Sequence, residues 1–195
     1  MAYAADFVFY GVLTASLAMA LVVFGFGKHP VQLAAIVGTG AVAWTLFEYA
    51  IHRFVLHGLR PFSDWHAEHH QRPMALICAP TLVSAALIVA VVLLPALLWA
   101  GHLRAGALTL GVLAGYLAYS TMHHAAHHWR PSSGWARACK RRHAQHHRPA
   151  GRGGHYGVTS GFWDRVFATA PPIDSSAATR TSGFATTLTE PCKFF

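Results

Sequence analysis

Charged residues are scarce in this chain. Only 11% of its 195 residues are Asp, Glu, Lys or Arg, and 54% are hydrophobic. A soluble domain carries roughly 25% charged residues, so an ordinary soluble fold is excluded. Four stretches lack lysine and arginine altogether; they cover about residues 7–26, 31–51, 75–100 and 105–122. Each is close to the roughly 20 apolar residues that a bilayer crossing requires. The composition therefore predicts an all-α integral membrane protein with four transmembrane helices.

Cysteines and acidic residues are also few. Cys78, Cys139 and Cys192 form no C-x-x-C pair, which excludes a disulfide framework and a thiolate metal site. Only seven residues are acidic, whereas a ferritin-type di-iron bundle needs four glutamates and paired E-x-x-H motifs. The H-E-x-x-H motif of zinc proteases is absent as well. Any metal must therefore be held by nitrogen and oxygen ligands outside these patterns.

The links between the apolar stretches predict how the helices pair. Residues 27–30 join the first stretch to the second, and residues 101–104 join the third to the fourth, so each pair is predicted to form a helical hairpin. Thirteen of the fifteen lysines and arginines lie outside these two turns. By the positive-inside rule, the longer polar segments and both termini are then cytoplasmic. Topology accounts for the net charge of +8, and we expect no nucleic-acid partner.

A change in composition marks the end of the predicted domain. From residue 170 onward the chain is rich in Pro, Ser, Thr and Ala and shows little periodicity. We therefore predict one membrane domain over residues 1–169 and a flexible tail over residues 170–195.

In contrast to charged residues, histidines are abundant in this chain. The chain has fifteen, and thirteen lie in two segments that follow the second and fourth apolar stretches. Four boxes hold most of them: HRFVLH with His52 and His57, HAEHH with His66, His69 and His70, HHAAHH with His123, His124, His127 and His128, and HAQHH with His143, His146 and His147. On a helix, i, i+3 and i+4 spacing places three imidazoles on one face. Burying so many imidazoles without partners would be unfavourable, so the boxes predict a metal site.

The number of imidazoles indicates two metal ions, since one ion takes about four to six ligands. Imidazole suits iron, zinc, copper and nickel, and spacing alone does not choose among them. Two chemistries stay open from the residues: oxygen activation by iron at a lipid C–H bond, and hydrolysis by zinc-bound water. Metal transport is disfavoured, because the histidines lie at or beyond the ends of the apolar stretches.

At these boxes the sequence resembles the fatty acid hydroxylase superfamily of integral membrane proteins, which includes sterol desaturases and carotenoid hydroxylases. The resemblance covers about residues 44–169 and rests on H-x-x-x-x-H, H-x-x-H-H, H-x-x-x-H and H-x-x-H-H in this order. The flanking sequences WTLFEYAIHRFVLH and YGVTSGFWDRVF are similar to those of the fatty acid and sphingolipid 2-hydroxylase branch.

The resemblance implies a helical membrane domain under a cytoplasmic, histidine-rich helical cap. It implies a dinuclear centre, with iron as the metal and zinc as the alternative, that uses O2 and two electrons to hydroxylate a fatty acyl chain in lipid biosynthesis. No side chain beyond the metal centre is expected to act as a catalyst. The electrons are expected from a separate electron-transfer protein and its reductase, because no flavin or nicotinamide fingerprint is present. The alternatives are a carotenoid or sterol hydroxylase or desaturase of the same superfamily, and a zinc-dependent membrane hydrolase.

The resemblance also implies which residues bind the metals. The implied ligands are His52, His57, His66, His69, His70, His123, His127, His143, His146 and His147. Four further residues are candidates for extra ligands or for partners that orient the ligands: His124, His128, His155 and Glu48. His124 stands where the family usually has an aromatic residue, and His155 where it usually has Asn or Gly. Glu48 lies four residues before His52 and is expected to orient a histidine ring.

Overall fold

The structure is a computed structural model, and it describes residues 2–76, 80–148 and 154–170. These residues form helices joined by short links, with no β-strand among them. The α-helices are α1 (Ala2–Leu21), α2 (Pro30–Ala50), α3 (Phe62–Gln71), α4 (Thr81–Ile88), α5 (Leu94–Ala100), α6 (His102–His128), α7 (Gly134–His146) and α8 (Phe162–Val166). Three π-helical segments follow α1, α2 and α4; they are Val22–Phe26, Ile51–Leu56 and Val89–Leu93.

Four helical stretches of the described chain are long and apolar enough to cross a membrane. They are Tyr3–Gly25, Pro30–Leu56, Thr81–Ala100 and His102–His128. Many of their apolar side chains are exposed, as Leu82, Leu98 and Trp99 illustrate at 82%, 84% and 90%. Apolar surface of this extent is unfavourable in water and suits contact with lipid chains. The predicted all-α integral membrane fold is confirmed, while the pairing into hairpins and the histidine-rich cap stay predictions.

Two prolines lie at different positions relative to the third span. Pro80 lies directly before the first turn of α4, where its missing N–H needs no partner, so the span begins at Thr81 instead of near residue 75. Pro95 does lie within the span and directly follows the π segment Val89–Leu93. A proline leaves the carbonyl four residues before it without its usual donor, and the wider π turn occurs at that place.

The chain divides into two compact units, and the first contains residues 2–44 and 80–118 of the described chain. Its apolar core lies where α1, α2 and α6 meet. The buried residues there are Leu21, Leu33 and Ala107, with Leu17, Ile36, Val37, Leu103 and Leu110 packed around them. Gly40 on α2 and Gly111 on α6 lie backbone to backbone, and a Cβ on Gly111 would collide with the carbonyl oxygen of Val37. Small residues at a crossing allow membrane helices to approach this closely.

A polar network around Asp6 also belongs to the first unit. The Thr81 hydroxyl donates to Asp6 Oδ1 at 2.7 Å, and the Tyr116 hydroxyl donates to Oδ2 at 3.3 Å. The Tyr10 and Ser84 hydroxyls are 2.7 Å apart. Because polar groups in apolar surroundings need partners, these bonds hold α1 against α4 and α6.

The second unit contains residues 45–76, 119–148 and 154–170 of the described chain. Met122, Cys139 and Val158 form its buried apolar cluster. Helix α8 packs on α2, where Trp163 Nε1 donates to Thr45 Oγ1 at 2.9 Å and the Phe167 ring stacks on Tyr49. This unit carries all the histidine boxes. The predicted domain boundary at residue 169 stays a prediction, and the predicted tail lies, from residue 171, outside the described residues.

Candidate metal centre

The first histidine box lies on a π-helical segment. His52 and His57 are five residues apart, which on a regular α-helix would turn them about 140° away from each other. The segment Ile51–Leu56 is instead π-helical, and its i→i+5 hydrogen bonds bring residues five apart onto one face. The two imidazole rings accordingly stack, with centroids 5.3 Å apart. The spacing H-x-x-x-x-H thus supplies two convergent nitrogens only because the helix widens there.

The two H-x-x-H-H boxes lie on short helices, and each divides its histidines between two groups. On α3, His66 and His70 are one turn apart and belong to one group, whereas His69 belongs to the other. On α7, His146 joins the first group, whereas His143 and His147 join the second. Each of these helices therefore contributes to both groups, which is what the i, i+3, i+4 spacing allows.

Ten histidines form the two groups. The first, group A, consists of His52, His57, His66, His70 and His146; the second, group B, consists of His69, His123, His127, His143 and His147. In each group, one nitrogen from every ring lies within 4.8 Å of all the others. These are the ten histidines predicted from the boxes, and segments far apart in the sequence meet in both groups. Their assignment as ligands stays a prediction.

The separations between the nitrogens fit a metal ion in each group. In group A, Nε2 of His66 lies 3.0 Å from that of His52 and 3.1 Å from that of His70. In group B, Nε2 of His143 lies 2.7 Å from that of His127 and 3.1 Å from that of His147. With metal–nitrogen bonds of about 2.1 Å, nitrogens at right angles around one ion lie about 3.0 Å apart. Five nitrogens per group also match the ligand number of a transition metal with a position left open.

Burial favours the neutral form of the group A and group B imidazoles that lie outside the membrane spans. It lowers the pKa of His69 and His70 to about 4 and that of His146 to about 3, with neighbouring imidazoles lowering each further. Burial likewise lowers the pKa of His57, and burial with adjacent imidazoles moves those of His66, His143 and His147 in the same direction. A neutral imidazole presents a lone pair to a metal, so this electrostatic setting favours coordination.

Two ligand candidates of group A are oriented by backbone carbonyls. Nδ1 of His52 lies 2.6 Å from the carbonyl oxygen of Tyr156, and Nδ1 of His146 lies 2.8 Å from that of Gly154. A carbonyl can only accept, so Nδ1 carries the proton and Nε2 carries the lone pair. This is the tautomer that a metal bound at Nε2 requires.

The four further candidates lie outside both groups. His124 and His128 stack on each other, with centroids 4.5 Å apart, one turn apart on α6. His155 is buried at a backbone φ of 56°, a left-handed conformation that favours Gly and Asn, so the backbone accounts for the residues usual at this position. The Glu48 carboxylate accepts hydrogen bonds from the backbone N–H groups of Val158 and Thr159 and from the Thr159 hydroxyl. Glu48 is thus bonded to this backbone segment, and its role in orienting a histidine ring stays a prediction.

Sequence reasoning missed three features of this site. The carbonyls of Gly154 and Tyr156 contact histidine rings, and no side-chain pattern indicates a backbone acceptor. Asp164 is fully buried and accepts the N–H groups of Tyr156 and Gly157, both at 2.8 Å. The segment YGVTSGFWD was noted only for its resemblance. The π segment was missed as well, although the five-residue spacing of its two histidines was a signal for it.

The fold and the site together define a class of protein: an integral membrane helical protein with two convergent groups of histidines suited to transition metals. The profile of the fatty acid hydroxylase family matches residues 37–169. This chain therefore belongs to the fatty acid hydroxylase family, as the boxes predicted.

Named relatives and a solved structure resemble the chain. The dihydroceramide fatty acyl 2-hydroxylase FAH2 of Arabidopsis thaliana is 35% identical over 158 residues, covering 75% of this chain and 65% of the relative. The ceramide very long chain fatty acid hydroxylase SCS7 of Saccharomyces cerevisiae is 35% identical over 150 residues, covering 67% and 36%. The human fatty acid 2-hydroxylase is 31% identical, covering 68% and 38%.

The solved structure described as full-length scs7p, with only its hydroxylase domain visible, has a TM-score of 0.70. It is 25% identical to this chain, and the alignment covers 90% of this chain and 69% of that one. The chain thus spans 65% of the length of the Arabidopsis relative and less than half of the yeast and human ones.

Proposed function

We propose that this chain is a membrane-bound, O2-dependent lipid hydroxylase with two metal ions, iron by its family, held in groups A and B. The substrate is a fatty acyl chain, free or within a ceramide-type lipid, and the product carries a hydroxyl on the carbon next to the carbonyl. The main observation that supports this proposal is the convergence of ten imidazole nitrogens into two groups of five. The 2-hydroxylase names of the relatives support the choice of substrate and carbon.

The overall reaction requires external electrons. One C–H bond and O2 give one C–OH group and one water, which consumes two electrons and two protons. We infer that a separate electron-transfer protein and its reductase supply the electrons, since the sequence carries no flavin or nicotinamide fingerprint. When bound, the two ions would supply the activation of O2 that side chains cannot provide.

The chain's own residues provide position and charge. The ten histidines would hold the ions through Nε2, and the carbonyls of Gly154 and Tyr156 keep two of these rings in the required tautomer. Neutral imidazoles present lone pairs to the ions, and burial favours this neutral form. The apolar spans would hold the acyl chain in the membrane. We also infer that the histidine segments and both termini are cytoplasmic, because the lysines and arginines concentrate there.

The test is product identification in a host that lacks the modification. Expression of the chain, with a compatible electron donor, should yield 2-hydroxy acyl lipids by mass spectrometry, and the hydroxyl oxygen should come from labelled O2. A change confined to carotenoids or sterols would contradict the acyl substrate. Turnover that continues without oxygen and is supported by zinc would contradict the oxygenase and favour a hydrolase.

Histidine variants test the site itself. His66→Ala, His69→Ala and His147→Ala should each lower product at least 100-fold and reduce the bound metal, because each removes one converging nitrogen. His29→Ala and His102→Ala are matched controls, since both side chains are exposed in the short turns outside the groups. Wild-type product and metal content in a group variant would remove that residue from the ligand set.

A further inference from the structure

Two rings of group A contact carbonyls of one backbone segment, and two buried carboxylates bond to the N–H groups of that segment. We propose that Glu48 and Asp164 are positioning residues for one of the two metal ions: they fix segment 154–159, whose carbonyls orient His146 and His52 of group A. This inference rests on the proposed function, because it presumes that group A binds an ion.

The first step is the contact between the segment and the rings. The carbonyl oxygens of Gly154 and Tyr156 lie 2.8 Å and 2.6 Å from Nδ1 of His146 and His52. The two rings contact each other edge to face, with centroids 4.3 Å apart. Their orientation therefore depends on where two carbonyls of one short segment are placed. Partners of this kind set both the tautomer and the aim of a ligand nitrogen.

The second step is what holds the segment. Residues 154–160 form neither helix nor strand, so their N–H groups need other acceptors. Four consecutive N–H groups, those of residues 156–159, donate to two carboxylates. Asp164 accepts from Tyr156 through Oδ1 and from Gly157 through Oδ2, both at 2.8 Å. Glu48 accepts from Val158 at 2.5 Å and from Thr159 at 2.8 Å, both through Oε1.

The third step is the rigidity of the carboxylates themselves. Asp164 is 0% exposed and also accepts from the Thr169 hydroxyl at 2.8 Å. Glu48 is 3% exposed and lies on α2, one turn before His52. The segment also fits closely, since a Cβ on Gly157 would collide with the carbonyl oxygen of Ser160 and lie 3.0 Å from Asp164 Oδ2. Glu48 therefore links the segment that carries the two carbonyls to α2, and Asp164 links it to α8.

The fourth step is the contrast with group B. Within the described chain, the buried Nδ1 atoms of His69, His143 and His147 have no hydrogen-bond partner. The carbonyls of Gly154 and Tyr156, which the two carboxylates help to place, bond to rings of group A. Loss of Glu48 or Asp164 should therefore affect one ion more than the other. A contribution to folding alone would affect both ions equally.

The hydrogen-bond pattern distinguishes the conservative variants. In Glu48→Gln, the amide oxygen can still accept from Val158 and Thr159, and the amide N–H₂ can donate to the Thr159 hydroxyl. In Asp164→Asn, one of the two accepting oxygens becomes a donor that faces a backbone N–H. We therefore expect Glu48→Gln to resemble the wild type, and Glu48→Ala and Asp164→Asn to be impaired.

The experiment measures metal retention in the purified full-length chain in detergent. Each protein is loaded with Fe2+ without oxygen, dialysed against a graded series of chelator concentrations, and analysed for ions per chain. Wild type and Glu48→Gln should release their ions at the same chelator concentrations. Glu48→Ala and Asp164→Asn should release one ion at roughly tenfold lower chelator and keep the other. In parallel, each protein is loaded with Co2+. In Glu48→Ala and Asp164→Asn, the visible absorption of one of the two bound Co2+ ions should differ from that in the wild type.

Matched controls are Asp64→Ala and Glu68→Ala. These carboxylates also lie beside the boxes, but they form exposed ion pairs with Arg60 and Arg72. Both should retain metal as the wild type does. If Glu48→Ala fails to fold by circular dichroism, the pair Glu48→Gln and Asp164→Asn still decides the question.

The outcomes separate this inference from the proposed function. Two ions retained at wild-type chelator concentrations in Glu48→Ala and Asp164→Asn would overturn the positioning role alone. Parallel loss of both ions would also overturn it, because it indicates a general effect on the fold. A wild-type chain that binds no transition metal would overturn the proposed function, and this inference with it.

Discussion

At the scale of single residues, the molecule is dominated by imidazoles brought unusually close together. Nitrogens 2.7 to 3.1 Å apart could not all be protonated, because the positive charges would repel one another at short range. Burial acts in the same direction, since it penalises the charged form. The site therefore requires neutral rings, and a bound cation would replace the repulsion by attraction.

The pKa values lead to a prediction for the metal-free chain. The pKa of His69 and His70 is lowered to about 4 in the folded state, mainly by burial, against about 6.5 for an unfolded histidine. Between these pH values the unfolded chain binds protons that the folded chain does not. The free energy of unfolding should therefore fall as the pH drops from about 6.5 to about 4. Denaturant unfolding in detergent at pH 7.5 and pH 5 measures this; equal stability at both would contradict it.

At the scale of elements, the π segment Ile51–Leu56 decides whether the first box works. An ordinary α-helix would present His52 and His57 on different faces, and only one could reach group A. The widened turn provides a second nitrogen from the same helix without any additional element. π segments are often found at functional sites for this kind of reason.

An insertion tests the role of this turn. One alanine inserted after Phe54 should rotate the chain beyond it by about 100° and move His57 out of group A. We expect at least tenfold weaker binding of one metal ion. An alanine inserted after Pro73, in the link that follows α3, is the control and should leave metal content unchanged. Full metal retention after the first insertion would show that the local helix geometry is unimportant.

The crossing of α2 and α6 is the other element-scale feature. Gly40 and Gly111 allow the two backbones to touch, and any side chain there would push the helices apart. The close approach of these two helices therefore depends on the absence of a side chain at both positions.

Substitution of these glycines should reveal the close contact. Gly111→Ala should destabilise the protein by about 1–3 kcal/mol, because its Cβ would meet backbone atoms that cannot move aside. Gly38→Ala on helix α2, two residues before Gly40, is the control. Nothing lies within 4 Å of its added Cβ, so it should be neutral or slightly stabilising. Unfolding of both variants in detergent gives the comparison, and equal stability would refute the close crossing.

At the scale of the whole molecule, the distribution of basic residues predicts one orientation in the membrane. Only Lys28 and Arg104 lie in the two short turns between the spans. The remaining basic residues lie in the histidine segments and beyond, so the positive-inside rule predicts that these segments are cytoplasmic.

Epitope tags test this orientation. A tag inserted after Lys28 should react with antibody only from the non-cytoplasmic side, and so should a tag inserted after His102. Tags at the N-terminus or after Arg130 should react only from the cytoplasmic side. Sealed vesicles of both orientations make the measurement. Tags after Lys28 and Arg130 that react from the same side would contradict the four-span topology.

The sequence by itself determined the membrane class, the four spans, the family and the ten histidines that meet, because apolar length and ligand spacing are local properties of the chain. Only the tertiary structure decided how these histidines divide into two groups, since α3 and α7 each contribute to both. It also decided which groups Glu48 bonds to, the backbone N–H groups of Val158 and Thr159, since the spacing from His52 indicates only that one helical turn separates the two residues. Both outcomes depend on the packing of segments that are distant in the sequence, and the backbone carbonyls of Gly154 and Tyr156 that contact His146 and His52 carry no side-chain signature.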